Sequence, residues 1–143
     1  MKEFPMKKPV SVYVLHNVLS GLLGLADEQV QYLMTIDNHD PVMLRTLIRS
    51  YVIPFFVEYD EDSQARMKDS LEYFLARNDN TLERVLLSCQ VPIEPPSGRE
   101  FFLLIWNELF QAEFAADLIN LDDYQEFDGT ALANGLRKIG FSG

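Results

Sequence analysis

Apolar residues recur at spacings of three and four along most of this chain, and this period constrains the fold more than any other feature of the sequence. Such spacing places apolar side chains on one face of an α-helix, whereas a half-buried strand would alternate with a period of two. Met67, Leu71, Phe74 and Leu75 form the clearest stripe, with charged residues around the rest of the helix. The pattern predicts a mostly α protein, built as a single-domain bundle of about six or seven helices.

Residues that favour helix ends divide this pattern into segments. The longest predicted helix runs over about 98–120, and the last one covers 130–139 with Gly140 as its stop. A shorter helix is predicted over 27–36. The predicted capping residues are Ser11, Asp40 before Pro41, Asn80 with Glu83 as a capping box, and Ser97 with Glu100 as another.

Two segments leave a strand open as an alternative. The first is 10–16, where β-branched valines alternate with other residues. The second is 54–59, because Pro54 disfavours helix at the preceding residue and the following segment is irregular or extended. We therefore expect strand to be a minor component, and a strand pair there would make the fold α+β.

The length of 143 residues suits one hydrophobic core. Only the segment 92–98, with three prolines and a glycine, is linker-like, and too few residues follow it to form a second core. We expect one domain over 1–143, with 1–9 as a flexible N-terminal tail.

Cysteine usage and the N-terminal segment bear on the compartment. Cys89 is the only cysteine, which excludes an internal disulfide and suits a reducing cytoplasm. Lysines before an apolar run imitate a signal peptide, but His16, Asn17 and Ser20 interrupt that run. No stretch reaches the about 18 uninterrupted apolar residues of a membrane span. We expect a cytoplasmic protein that does not associate with membranes.

Charge is the most informative global property. The chain has 22 acidic and 12 basic residues, a net charge of -10, and no Lys or Arg between Arg99 and Arg137. Such a field repels phosphate backbones, so direct nucleic-acid binding is disfavoured and a basic protein partner is favoured. Solubility alone also explains an acidic composition, and that alternative stays open.

Apolar residues of the predicted long helix occupy two faces rather than one. Phe101, Ile105 and Leu109 share one side, while Trp106 and Phe110 belong to a second stripe. Two interpretations follow: a central helix packed on both sides, or a surface stripe of aromatic anchors edged by carboxylates. Under the second interpretation, the predicted partner-binding residues are Trp106, Phe110, Glu113, Asp117, Asp122, Asp123, Glu126 and Asp128.

We find no motif typical of a catalytic, metal-binding or phosphate-binding site in the sequence. His16 and His39 have no second ligand at a metal-binding spacing, and His16 is expected to be a hydrogen-bonded core residue. Cys89 has no nearby histidine and is expected to be a buried structural residue. The glycines form no phosphate-binding pattern. We therefore expect no catalytic residues, no cofactor and no metal, and we do not expect an enzyme.

In size, acidity and lack of catalytic motifs, the chain resembles the immunity proteins that bacteria pair with secreted toxin domains in polymorphic or contact-dependent toxin systems. The resemblance is one of general character and rests on no diagnostic motif. It implies that the protein neutralises a basic toxin domain, typically a nuclease, by binding it tightly. An acidic surface would then imitate the anionic substrate and speed association.

A different class of protein is the main alternative. A helical adaptor or regulatory module would bind a peptide or a helix in a hydrophobic groove. Salt dependence separates the two hypotheses, because steering by charge weakens as salt increases and apolar docking does not. An enzyme with scattered catalytic carboxylates is a third hypothesis that one sequence does not exclude.

Overall fold

The computed structural model describes residues 7–77 and 79–139. Helices make up most of this part of the chain, as the periodicity predicts, and the strands are only two segments of three residues each. The elements are β1 (Lys8–Val10), α1 (Val12–Val18), α2 (Asp27–Thr35), α3 (Pro41–Tyr51), α4 (Ile53–Phe56), α5 (Glu61–Arg77), α6 (Thr81–Cys89), α7 (Gly98–Phe110), β2 (Tyr124–Glu126) and α8 (Ala131–Asn134), with 3-10 turns at Ser20–Leu22, Ala116–Leu118 and Leu121–Asp123.

Three of the predicted helix starts have the expected cap. The side chains of Ser11, Asp40 and Ser97 each accept a hydrogen bond from a backbone N–H two or three residues further on, at 3.2, 2.9 and 2.9 Å. Each cap satisfies one of the N–H groups that a first helical turn leaves without a partner. The predicted starts of α1, α3 and α7 are therefore confirmed.

The predicted capping box of α6 is wrong, because Glu83 caps a different helix. Its carboxylate accepts hydrogen bonds from the backbone N–H groups of Gly98 at 2.7 Å and Arg99 at 3.2 Å. The side chain of Asn80 makes no capping hydrogen bond. A side chain at Gly98 would lie 2.9 Å from the carbonyl oxygen of Leu82, so the glycine permits this close approach. Glu83 thereby joins α6 to the start of α7.

The buried apolar residues of the described chain form one core, to which α1, α3, α5, α6 and α7 all contribute. Helix α1 packs on α5, while α3, α5 and α6 all contact α7. Phe101, Phe102 and Ile105 of α7 are fully buried, and the exposed fraction of Trp106 is only 8%. The interpretation of α7 as a central helix packed on more than one side is therefore the right one, and the surface-stripe interpretation is wrong for Trp106.

Helix α7 is shorter than the sequence pattern predicts. It ends at Phe110 rather than near residue 120, because Gln111 adopts a left-handed conformation with φ 53° and ψ 41°. Its side-chain amide donates to the carbonyl oxygen of Glu108 at 2.8 Å. The reversal brings Phe114 back onto Trp106, with ring centroids 5.3 Å apart. A tertiary contact therefore replaces the expected helical continuation.

The last predicted helix is also shorter. Helix α8 covers Ala131–Asn134 instead of 130–139, and Gly140 lies outside the described residues. Beyond α8, the chain forms an antiparallel bridge between Lys138 and Tyr59. The backbone N–H of Asp60 donates to the carbonyl oxygen of Arg137, and the backbone N–H of Ile139 donates to the carbonyl oxygen of Glu58. These backbone hydrogen bonds to a segment distant in sequence replace the hydrogen bonds of the predicted helix.

The strand alternatives are resolved differently at the two segments. Of 10–16, only Val10 is in a strand, and α1 begins at Val12. Strand β1 pairs in parallel with β2, so that Lys8 lies opposite Tyr124. The predicted tail is thus ordered at Lys8 and Pro9, while 1–6 lie outside the described residues. In the second segment, Pro54 lies in the first turn of the short helix α4.

Candidate interaction surface and apolar cleft

Residues 111–128, called here the acidic segment, follow α7 and run along the outside of α5. The two 3-10 turns of this segment contact α5, and its end forms β2 beside β1. The segment contains no α-helix, so Glu113 and Asp117, which the predicted helix over about 98–120 would place one turn apart, are not on an α-helix. Both residues nevertheless lie on the surface.

All six carboxylates that the sequence singles out in this segment are exposed. Glu126 is paired, because it accepts hydrogen bonds from Arg77 at 2.6 Å and from the Tyr73 hydroxyl at 3.3 Å. Within residues 7–77 and 79–139, the other five form no ion pair with a Lys, Arg or His side chain. These five are Glu113, Asp117, Asp122, Asp123 and Asp128.

Apolar side chains are exposed among these carboxylates. The exposed fraction of Leu118 is 81%, and Leu121 and Phe127 are each about two-fifths exposed. None of the three is among the residues predicted to contact a partner. Each stands next to an aspartate in the sequence, and that position was the available signal. Mixed apolar and charged exposure of this kind is found at protein interfaces.

Of the two predicted aromatic anchors, Trp106 is buried and Phe110 is half-buried. Trp106 packs against Phe110 with ring centroids 4.5 Å apart, and Phe110 contacts Phe56 at 5.9 Å. The Lys68 ammonium lies 5.2 Å from the Phe110 ring and 5.8 Å from the Trp106 ring. Burial prevents Trp106 from serving as a contact residue, because a partner cannot reach its ring without a rearrangement. Phe110 is half-buried.

A buried carboxylate anchors the end of the acidic segment. Glu72 of α5 accepts a hydrogen bond from the Tyr124 hydroxyl at 2.5 Å and lies 3.6 Å from the Lys8 ammonium. Burial, together with the negative charge of Glu72, raises the pKa of Tyr124. The hydroxyl therefore keeps its proton and donates it to the carboxylate. This contact holds β2, and with it the acidic residues on either side, against α5.

A second feature, called here the apolar cleft, lies away from the acidic segment. It has a volume of about 610 Å³ and is formed by the residues before and within α2, the turn after α2, and the chain that follows α6. Cys89 and Glu94 belong to its wall. The side-chain oxygen Oδ1 of Asn38, another wall residue, is buried and accepts no hydrogen bond from any residue that the structure describes.

Comparisons with protein-family models, with curated proteins and with solved structures find no match to this chain. Among the helices of residues 7–77 and 79–139, none combines the length and the apolar character that crossing a membrane requires.

The histidine and the cysteine that the sequence assigns to the core are each half-buried. Burial lowers the pKa of His16, whose ring centroid lies 5.6 Å from that of Tyr13. Burial raises the pKa of the Cys89 thiol, which keeps it protonated and poorly nucleophilic. In the described part of the chain, no three His, Cys, Asp or Glu side chains converge as metal ligands would.

Proposed function

We propose that this protein binds a basic partner protein through the acidic segment. One observation carries the proposal: along residues 111–128, five exposed carboxylates without a cationic partner among the described residues are interspersed in sequence with the exposed side chains of Leu118, Leu121 and Phe127. The carboxylates supply long-range attraction, and the apolar side chains supply area that becomes buried on contact. The anchors proposed here are these three residues, in place of Trp106.

The physical reason for a basic partner is electrostatic. A net charge of -10 raises the local concentration of a cationic protein and accelerates its encounter with the surface. Nucleases bind phosphate backbones through basic surfaces, and the exposed carboxylates of the acidic segment offer such a surface negative charge in place of the phosphates. We therefore propose that the partner is a cognate bacterial toxin domain, most readily a nuclease, and that binding neutralises it.

The apolar cleft supports the alternative of a helical adaptor. Its wall exposes Leu23 and Met34, which a peptide with apolar side chains would cover. The two hypotheses use different residues, since no residue of the acidic segment belongs to the wall of the cleft. An adaptor would depend on the cleft and would bind about equally well at low and high salt.

Binding and inhibition assays with the product of the gene directly upstream test the proposal. We expect the purified protein to form a complex with that product and to abolish its nuclease or other toxic activity at an equimolar ratio. Affinity should fall steeply between about 50 mM and about 500 mM salt, because the charges involved are exposed. Absence of a complex, or a complex whose affinity is independent of salt, would contradict the proposal.

A charge-matched pair of variants locates the contact. Asp117→Lys with Asp122→Lys reverses two charges of the acidic segment, while Glu28→Lys with Glu58→Lys makes the same change in net charge at exposed residues outside both the acidic segment and the wall of the apolar cleft. Neither pair removes an ion pair among the described residues. Only the first double variant should lose inhibition. Equal losses in both would mean that net charge, rather than this surface, is responsible.

A further inference from the structure

Helix α2 is attached to the core mainly through one side chain. Leu33, which is 1% exposed, is its only buried residue, while its neighbours Tyr32 and Met34 are 60% and 68% exposed. Among the α-helices of residues 7–77 and 79–139, α2 alone is not packed along another helix or strand. An element with so little buried surface separates from a protein at a much lower free energy than the core does.

Polar contacts do not fasten α2 to a distant part of the described chain either. Every hydrogen bond that residues 24–39 make there joins residues at most four apart, such as the bond from the backbone N–H of Ala26 to Gln29 at 3.3 Å. None of the ion pairs among the described residues involves this segment. Helices α6 and α7, in contrast, are joined by Glu83. Separation of α2 would therefore break no tertiary hydrogen bond within the described chain.

Open space borders α2 on different sides. Val30 and Met34, one turn apart, belong to the wall of the apolar cleft. Tyr32 and Leu33, on other sides of the helix, belong together with α3 to the wall of a smaller cleft of about 190 Å³. Close packing is what holds most core elements in place. Little of it must be disrupted when α2 moves.

The chain on both sides of α2 is suited to act as a hinge. Gly24, before the helix, has a φ of 68°, and a Cβ placed there would meet nothing within 4 Å. Glycine also adopts other φ values at little cost, so the chain can turn at this point. After the helix, Oδ1 of Asn38 is buried without a donor among the described residues. Such burial is unfavourable, and outward movement of the turn would expose this oxygen to water.

We propose that α2 is a hinged lid between the two clefts. It swings away from the core on Gly24 and on the turn at 37–39, and it withdraws Leu33 while the other helices stay packed. The movement joins the apolar cleft and the smaller cleft into one groove. No residue of the acidic segment takes part, so the lid is independent of the proposed binding of a basic partner.

Hydrogen exchange of the unmodified protein, followed by mass spectrometry, gives the first test. A detached helix of nine residues is too short to keep its hydrogen bonds in water, so its amides lose protection. After correction for intrinsic rates, amides 30–35 should exchange at least about 100-fold faster than those of α5. Urea below the unfolding transition should hardly change the rate for α2, because its separation exposes little surface. Equal protection of α2 and α5 would overturn the proposal.

A matched pair of buried thiols tests whether Leu33 itself leaves the core. In the variant Cys89→Ala, which has no other thiol, Leu33→Cys and Leu75→Cys each place one thiol at a residue that is 1% or 0% exposed. Iodoacetamide should alkylate Leu33→Cys at least about tenfold faster than Leu75→Cys, because α5 releases Leu75 only on global unfolding. Equal rates, both following global unfolding in urea, would show that α2 does not move on its own.

Asn38→Leu tests the hinge that follows the helix. The substitution removes the buried acceptor without a donor and should stabilise the closed position of α2. Alkylation of Leu33→Cys should then become about fivefold slower or more. An unchanged rate would mean that Oδ1 stays buried when α2 moves, and it would contradict a hinge at 37–39.

Discussion

At the scale of single residues, polar side chains join segments that are distant in sequence. Glu83 binds the first N–H groups of α7, and Glu72 binds the hydroxyl of Tyr124. Both contacts involve a carboxylate and a group that would otherwise lack a partner when buried. A sequence shows which residues can accept such bonds but not which segment will supply the donor, and for that reason Glu83 was assigned to the wrong helix.

Removal of the Glu83 carboxylate tests this role. Glu83→Ala leaves the N–H groups of Gly98 and Arg99 without their acceptor, and we expect the free energy of unfolding to fall by about 1–3 kcal/mol. Urea denaturation at neutral pH measures the change. Glu94→Ala, at an exposed residue, should stay within about 0.5 kcal/mol. Equal effects would contradict the capping role of Glu83.

Asp60 predicts a dependence of stability on pH. Hydrogen bonds from the backbone and side chain of Ser63 hold the pKa of Asp60 below its ordinary value of 3.8. A carboxyl with a lowered pKa in the folded state stabilises the protein fully above its unfolded pKa, and this contribution is lost as the pH falls towards the folded value. As the pH falls below about 4, the free energy of unfolding should therefore decrease less in Asp60→Asn than in the wild type. Identical acid denaturation of the two proteins would rule this contribution out.

At the scale of elements, the starts of helices were easier to predict than their ends. Ser11, Asp40 and Ser97 carry the information for a start in their own side chains. The end of α7 has no such signal, because Ala112 and Ala116 continue the helical spacing and no Gly or Pro occurs between Arg99 and Ala116. The packing of Phe114 on Trp106 decides it instead. A single sequence does not reveal such a tertiary contact.

The conformation of Gln111 gives a test of that helix end. A β-branched side chain is strained in the left-handed region, so Gln111→Val should lower the free energy of unfolding by about 1–2 kcal/mol. Gln111→Gly should have a smaller effect, because glycine adopts this conformation readily. Gln125→Val, the same change in strand β2, should be tolerated. Equal tolerance of valine at residues 111 and 125 would contradict the left-handed turn.

At the scale of the whole molecule, the fold class could be predicted from the helical period of the sequence. The proposed interaction surface could be predicted only in part. The run of acidic residues was visible in the sequence, and those residues are exposed. Burial of Trp106 and exposure of Leu118 were not visible, because both depend on where α7 ends. The apolar cleft also escaped prediction, since α2 and the chain after Cys89 meet only in the folded protein.

Attraction of a basic partner by the acidic segment should act mainly on the association rate. Stopped-flow mixing with the product of the upstream gene should show that Asp117→Lys with Asp122→Lys associates about tenfold more slowly than the wild type at low salt and has a weaker salt dependence. The control pair Glu28→Lys with Glu58→Lys should change the rate much less. If the variant of the acidic segment associates at the wild-type rate in low salt, these carboxylates only keep the protein in solution, and the proposed function is wrong.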